Sequence, residues 1–400
     1  MSNDGQAKKY DMVFIGTSKI CVLEAVYQSL SGKSVLMLDR QSGMGGAWRS
    51  LEIFGLHDVE NAIHYFLPDS FAFDFMKDAL TWDVIKILRK YRVFPLPVRG
   101  CWRAPYDGAF GRLVGVIKEG VLQGKAREFP VLLLRAVWDF FFKTRPVSYY
   151  VGGGAPEMLR KVESILRASD VEVRYSTSID WIHIDCDAQT VEVSVGEKRI
   201  LASTIFFTHG SRILNLTGSS GDFPIEEKLH LRLAVHMLVR DNSPSTMYEC
   251  IFTADPLIKY VHDITRFSRE STELVGRKKL LVFALQKNVR ESDAVCHAIF
   301  EKLKRVGMVG KDAVLEDQYW QDVYLPRLED SDLQKLKATF GAQVEYLKTE
   351  NFTKGVGYHA RRWATKIRFP DNCSETGAQT ACVPRGKSIQ NNQCKTKEQG

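Results

Sequence analysis

Asp11-Met12-Val13-Phe14-Ile15 runs into Gly16-Thr17-Ser18-Lys19-Ile20-Cys21, then Val22-Leu23-Glu24-Ala25-Val26-Tyr27-Gln28-Ser29-Leu30, closed by Ser31-Gly32. A second apolar run, Ser34-Val35-Leu36-Met37-Leu38, ends in Asp39-Arg40. The order reads strand, tight turn, helix, strand, acid, which is the layout of a βαβ dinucleotide-binding unit. In such a unit the turn aims backbone N–H groups and the positive end of the helix at a pyrophosphate. A carboxylate at Asp39 is placed to accept the ribose hydroxyls of an adenosine. The glycine fingerprint is altered: G-x-G-x-x-G reads Gly16-x-Ser18-x-x-Cys21, so only the first glycine survives. Ser18 adds a Cβ where phosphate would approach. Alone, the unit is equally that of an α/β protein that binds no dinucleotide.

The next residues shift that balance. Gly43-Met44-Gly45-Gly46-Ala47-Trp48-Arg49 follows Asp39-Arg40 after a short spacer. The two stretches together resemble the superfamily of FAD-dependent amine oxidases, protoporphyrinogen oxidases and UDP-galactopyranose mutases, whose fold the Rab GDP-dissociation inhibitors share. Gly16-Thr17 and Leu38-Asp39-Arg40 look most like that last, non-catalytic branch. A glycine pair at Gly45-Gly46 lets the backbone pass close to phosphates and a ribityl chain. The resemblance implies an α/β fold. It would have a Rossmann-type FAD-binding domain with a parallel sheet and a discontinuous α+β substrate domain with an antiparallel sheet.

Four hundred residues and 44% hydrophobic content supply a core for two to three domains' worth of chain. The net charge of +7 is spread along the chain, which suits an anionic ligand. No basic stripe interleaves with aromatics, so nucleic acid is not an expected partner. Eight cysteines are scattered without C-x-x-C spacing and Met1 to Lys9 is polar, so reduced thiols in a cytoplasmic protein are expected. No His/Cys cluster has metal-ligand spacing, so no metal is expected. The most apolar run, Phe129 to Phe142, is interrupted by Arg135 and Asp139. That favours a buried helix over a transmembrane span or peripheral membrane contact.

The expected division follows the resemblance. Residues 1–9 form a leader without order, and 10–68 with 148–222 form the FAD-binding domain. Residues 69–147 and 223–340 face the substrate, 341–370 return in part to the cofactor domain, and 371–400 form a polar tail without order. Apolar spacing predicts a helix over 69–91, and Arg99 to Tyr149 reads as mainly helical. Leu229 to Met247 reads as a half-buried strand whose more polar face, with Arg232 and His236, lines a cavity or meets solvent.

Site residues follow by the same likeness. Gly16, Thr17, Ser18, Asp39, Arg40, Gly45, Gly46, Ala47 and Trp48 would hold FAD. Ile179 stands where a backbone bonds the adenine. Thr208 and Gly210 end a strand, Thr204 to Ser211, over the cofactor. His64, in Asn61-Ala62-Ile63-His64-Tyr65-Phe66, stands where the family places residues beside the isoalloxazine ring; a hydrogen-bonded core histidine is the other reading. Arg232, His262 and Arg266 are candidates for binding an anionic substrate. No residue is singled out as a catalytic base.

At the C-terminus the pattern departs from the family, since no Gly-Asp stands near the last helix. The leading expectation is therefore an FAD-dependent oxidoreductase taking a hydride from a small-molecule substrate, with a nucleotide-sugar mutase as a variant. The alternatives are a non-catalytic binding protein like the Rab inhibitors, or a truncated relative that has lost FAD.

Overall fold

The computed structural model describes residues 8–61, 64, 84–87, 91–96, 100–105, 130, 131, 134, 148–208, 215–218, 221–224, 228–243, 247, 249–252, 255–265, 278–285, 289–327, 329–347 and 355–367. The chain opens with β1 (Lys9–Ile15), α1 (Lys19–Ser29) and β2 (Val35–Leu38). A hairpin of β3 (Ser50–Ile53) and β4 (Leu56–Glu60) follows, then β5 (Val84–Ile87), β6 (Tyr91–Leu96), β7 (Gly100–Pro105) and β8 (Ser148–Val151). Next come α2 (Gly154–Arg167), β9 (Glu172–Arg174), β10 (Trp181–Asp185), β11 (Thr190–Val195), β12 (Lys198–Thr208), β13 (Asn215–Gly218) and β14 (Phe223–Pro224). The remainder is β15 (Lys228–Arg240), β16 (Glu249–Phe252), β17 (Ile258–Asp263), β18 (Lys278–Leu285), α3 (Asp293–Val306), β19 (Val314–Arg327), α4 (Asp330–Phe340), β20 (Val344–Leu347) and α5 (Gly355–Lys366).

The first sheet has nine strands in the order β14-β13-β10-β11-β12-β1-β2-β9, with β20 also on β12. Its centre is parallel: β20, β12, β1, β2 and β9 all run the same way. Both faces of this centre are covered, which is why β1 and β2 read as unbroken apolar runs. Val13, Ile15, Leu36, Leu38, Ile205 and Phe207 join one core cluster. Phe14 of β1 stacks on Phe206 of β12, with ring centroids 4.5 Å apart.

The second sheet has seven strands in the order β19-β15-β18-β17-β16-β6-β7. It is antiparallel except where β16 meets β6. Alternate residues of β15, Val235, Met237 and Val239, pack with Cys296, Ile299 and Leu303 of α3. The fold is thus a Rossmann-type parallel sheet with a separate antiparallel sheet.

Two expectations are corrected. Within the stretch read as a helix over 69–91, Val84–Ile87 is a strand paired with β8, and β6 begins at Tyr91. β-branched positions opposite aromatic ones (Ile85 against Tyr150) favour strand pairing over the helical spacing seen locally. Gly100–Pro105, inside the stretch read as mainly helical, pairs with β6. The rest of both stretches lies almost entirely outside the described residues.

Candidate dinucleotide site

The turn after β1 is held by a buried carboxylate. Gly16 has φ 90°, which side chains rarely adopt, and its N–H donates to Leu38 O at 2.7 Å. Thr17 N and Thr17 Oγ1 then donate to Asp39 Oδ2 at 2.8 and 2.5 Å. Gln41 N donates to Asp39 Oδ1 at 2.8 Å. Asp39 therefore ties the end of β2 to the turn before α1. Oδ2 is filled by its two bonds, and Oδ1 keeps acceptor capacity beyond its one.

Ser18 caps α1. Its Oγ accepts from Cys21 N at 3.4 Å, satisfying one of the amides left open at a helix start. The hydroxyls of Ser18 and Thr208 both lie against the Cys21 thiol, which burial pushes up to about 12. Cys21 is thus a packed thiol, not a nucleophile.

The glycine pair lies against this turn. Gly45, at φ 125°, donates through its N–H to Thr17 O at 3.2 Å. A Cβ on Gly45 would come within 2.7 Å of Leu159 Cδ1 on α2. A single 3₁₀ turn, Gly46–Trp48, follows. Trp48 meets two side chains. The Lys19 ammonium sits 2.8 Å from the Trp48 ring centroid, and the His64 ring lies 3.8 Å from Trp48 at 31°. Lys19 is only 3% exposed, and burial drives its pKa well below the ordinary lysine value.

Of the predicted cofactor residues, the structure brings Gly16, Thr17, Ser18, Asp39, Gly45, Gly46, Trp48 and Thr208 into this one region, and His64, the candidate beside the flavin ring, joins them through Trp48. Arg40 is exposed beside it, and the Ala47 backbone lies in the 3₁₀ turn. The segment before Ile179 runs along Asp39: Ser176 N donates to Gln41 O at 2.8 Å and Thr177 N to Asp39 O at 2.9 Å. Ile179 itself packs on the core. Gly210 and Arg266 lie outside the described residues, and Arg232 stands in β15 opposite Val323.

His262 is placed inside the fold. It is 3% exposed, with Tyr150 Oη 3.4 Å from Nδ1 and Glu249 Oε2 at 3.9 Å, so its polar neighbours are groups of its own chain. The polar face of β15 is likewise not a solvent face at His236. That ring is wholly buried, with Nε2 3.0 Å from Glu60 O, and burial lowers its pKa to about 4.

Sequence reasoning missed Lys19 and Glu60. A lysine at the first helical position, one residue after a lost glycine, was the available signal for Lys19. Glu60 Oε1 accepts from Ala155 N at 2.5 Å at the start of α2, and burial raises its carboxyl to about 8. Nothing near Glu60 in sequence points to α2.

Among the described residues no group of three or more His, Cys, Asp or Glu is arranged to hold a metal ion. No described helix is long and apolar enough to cross a membrane.

No family model matches the chain, and no curated protein matches it. Solved structures do. A putrescine oxidase bound to putrescine aligns with a TM-score of 0.61 at 14% identity, over 90% of this chain and 98% of that one. A reduced UDP-galactopyranose mutase aligns at 0.61 and 13% identity, over 88% and 91%. A Rab GDI from Plasmodium falciparum aligns at 0.54 and 12% identity, over 91% and 100%. The chain has the fold these proteins share, and identity this low speaks to fold alone.

Proposed function

We propose that this chain is an FAD-dependent oxidoreductase that transfers a hydride from a small-molecule substrate to the flavin. The observation that carries the reading is the Asp39 clamp. A buried carboxylate at the end of β2 is bound to the β1–α1 turn, beside a glycine pair whose two residues both take positive φ, a backbone conformation that side chains rarely adopt. That set suits an adenine dinucleotide: Asp39 for the ribose, the start of α1 and the Gly45–Gly46 backbone for the diphosphate. Trp48 and His64, stacked on each other, would flank the flavin ring. FAD, when bound, supplies the hydride acceptor, and the protein supplies binding, orientation and access. The substrate-facing half would be built from 69–147 and 223–340. A nucleotide-sugar mutase is the same site put to isomerisation.

One observation favours a second reading, a non-catalytic binding protein. Ser18 takes up the Cys21 amide that a diphosphate would otherwise use. The visible spectrum of the purified protein, before and after FAD and desalting, separates the two. Retained flavin absorbance, lost in Asp39→Ala, supports the oxidoreductase. A colourless protein that ignores added FAD leaves the binding-protein reading.

A further inference from the structure

Glu60 is held at two points that belong to different parts of the fold. It ends β4 and is 1% exposed. Its Oε1 accepts from Ala155 N at the start of α2, and its backbone O lies 3.0 Å from His236 Nε2 of β15. A carbonyl can only accept, so that ring nitrogen carries a proton. One residue thus joins the hairpin, α2 and the seven-stranded sheet. Both α2 and β4 lead on to the candidate dinucleotide site. Leu159, one turn along from Ala155, is the side chain that lies against Gly45. His64, four residues past Glu60, has its ring on Trp48.

No counter-charge meets Glu60 among the described residues. On α2, Arg160 is taken up by Asp58 of β4 at 2.8 Å and by Glu157 at 2.9 Å. β3 sets Ser50 opposite Glu60, and β8 brings Tyr150 into one cluster with Val59. β15 brings His236, which burial keeps neutral. Oε2 of Glu60 meets no hydrogen-bond partner among the described residues. A carboxylate buried with one N–H donor and no cation is costly, and a carboxylic acid in the same place is far less so.

We propose that Glu60, held as a neutral carboxylic acid, is a positioning residue of the candidate flavin site: it sets α2 against the glycine pair and fixes the chain that continues to His64. This rests on the dinucleotide reading above and adds to it a proton-dependent control of cofactor affinity. Loss of the proton leaves a desolvated charge where β4, α2 and β15 meet, and opening that junction to water relieves it. Burial pushes the carboxyl up to about 8, so the acid form prevails at pH 7 and the charged form at pH 9.

The test is calorimetric titration of the full chain with FAD at pH 7 and pH 9, comparing wild type, Glu60→Gln and Glu60→Ala. Wild type is expected to bind FAD about tenfold more weakly at pH 9, where only about a tenth of the chains still hold the proton. Glu60→Gln keeps a neutral group and an oxygen for Ala155 N. It is expected to bind within a few-fold of wild type at pH 7 and to show no such drop. Glu60→Ala is expected to bind weakly at both pH values; should it not fold, wild type and Glu60→Gln decide alone. A drop of the same size in Glu60→Gln, its failure to bind at pH 7, or the lack of a drop in wild type overturns the proposal and leaves the flavoprotein reading intact. So does loss of the far-UV circular dichroism of wild type at pH 9, which would assign the drop to unfolding of the whole chain. Failure of wild type to bind FAD at either pH overturns both.

Discussion

Trp363 donates its indole N–H to Glu24 Oε2 at 2.8 Å, across 339 positions of sequence. Glu24 lies in the middle of α1 and is 1% exposed. Arg362 Nη2 donates to Oε1 at 2.5 Å, Gln28 Nε2 to the same atom at 2.7 Å, and His359 Nδ1 lies 3.6 Å from Oε2. The helix near the end of the described chain is therefore bolted to the dinucleotide helix through one carboxylate. Burial raises the Glu24 pKa, but His359, Trp363 and Arg362 outweigh it, so the group titrates below its ordinary value. A depressed carboxyl stabilises above its unfolded pKa, and that contribution is lost as pH falls through the folded one. Glu24→Gln is expected to cost about 2–4 kcal/mol at pH 7 and progressively less in acid, read from urea midpoints.

Glu60 has the opposite sign. Its folded pKa, about 8, is above the ordinary 4.5 because burial disfavours the carboxylate, with the Ala155 N–H opposing. Between those values the folded state holds a proton that the unfolded state has released, so stability falls as pH rises. The loss is about 5 kcal/mol across the window. His236, with its folded pKa lowered to about 4, acts in the other direction between about 4 and 6.5. Wild type is therefore expected to lose stability most clearly from pH 6.5 to 8. Glu60→Gln, which keeps an oxygen for Ala155 N, should flatten that limb in denaturation curves.

Gly45 separates strain from crowding. Gly45→Ala is expected to cost about 1–3 kcal/mol from its φ of 125°. The added contact falls on the end of the Leu159 side chain, which can turn away. Adding Leu159→Ala should therefore recover only a minor part of the loss, measured as a double-mutant cycle. Full recovery would assign the cost to the side chain instead.

Thr17→Val removes a buried hydroxyl from Asp39 while the Thr17 backbone bond remains. The expected cost is about 1–3 kcal/mol in stability. Since Asp39 is still present, ADP affinity should fall only a few-fold, against near-complete loss for Asp39→Ala. Calorimetric titration of the two variants gives that ranking.

The unit from β1 to Asp39 was legible because it is local: apolar runs, a glycine that must take positive φ, and an acid at the next strand's end. The same held for the apolar run of β12 and for the alternation of β15 from Leu229, although the strand expected to reach Met247 ends at Arg240. The helix expected over 69–91 failed where Val84–Ile87 is claimed by a partner strand that sequence proximity does not reveal. Glu60, His236 and His262 were opaque for a related reason. Their partners are the start of α2, a backbone carbonyl and a distant Tyr–Glu pair, so only the packed fold explains their burial. Nothing beside Glu24 in sequence points to Trp363, which donates to it from 339 positions away.

The placement of β12 also sets a timetable for synthesis. Val13 and Phe14 lie beside Ile205 and Phe206, and Ile205 to Thr208 in turn lie beside Val344 to Leu347. A ribosome delivers β1 and β2 before β12 and leaves the remaining edge of β1 bare until β12 emerges. The nascent chain thus carries an apolar strand edge that invites wrong partners until β12 emerges. Slow, cool expression or a chaperone that covers Asp11 to Ile15 should raise the soluble yield of this protein.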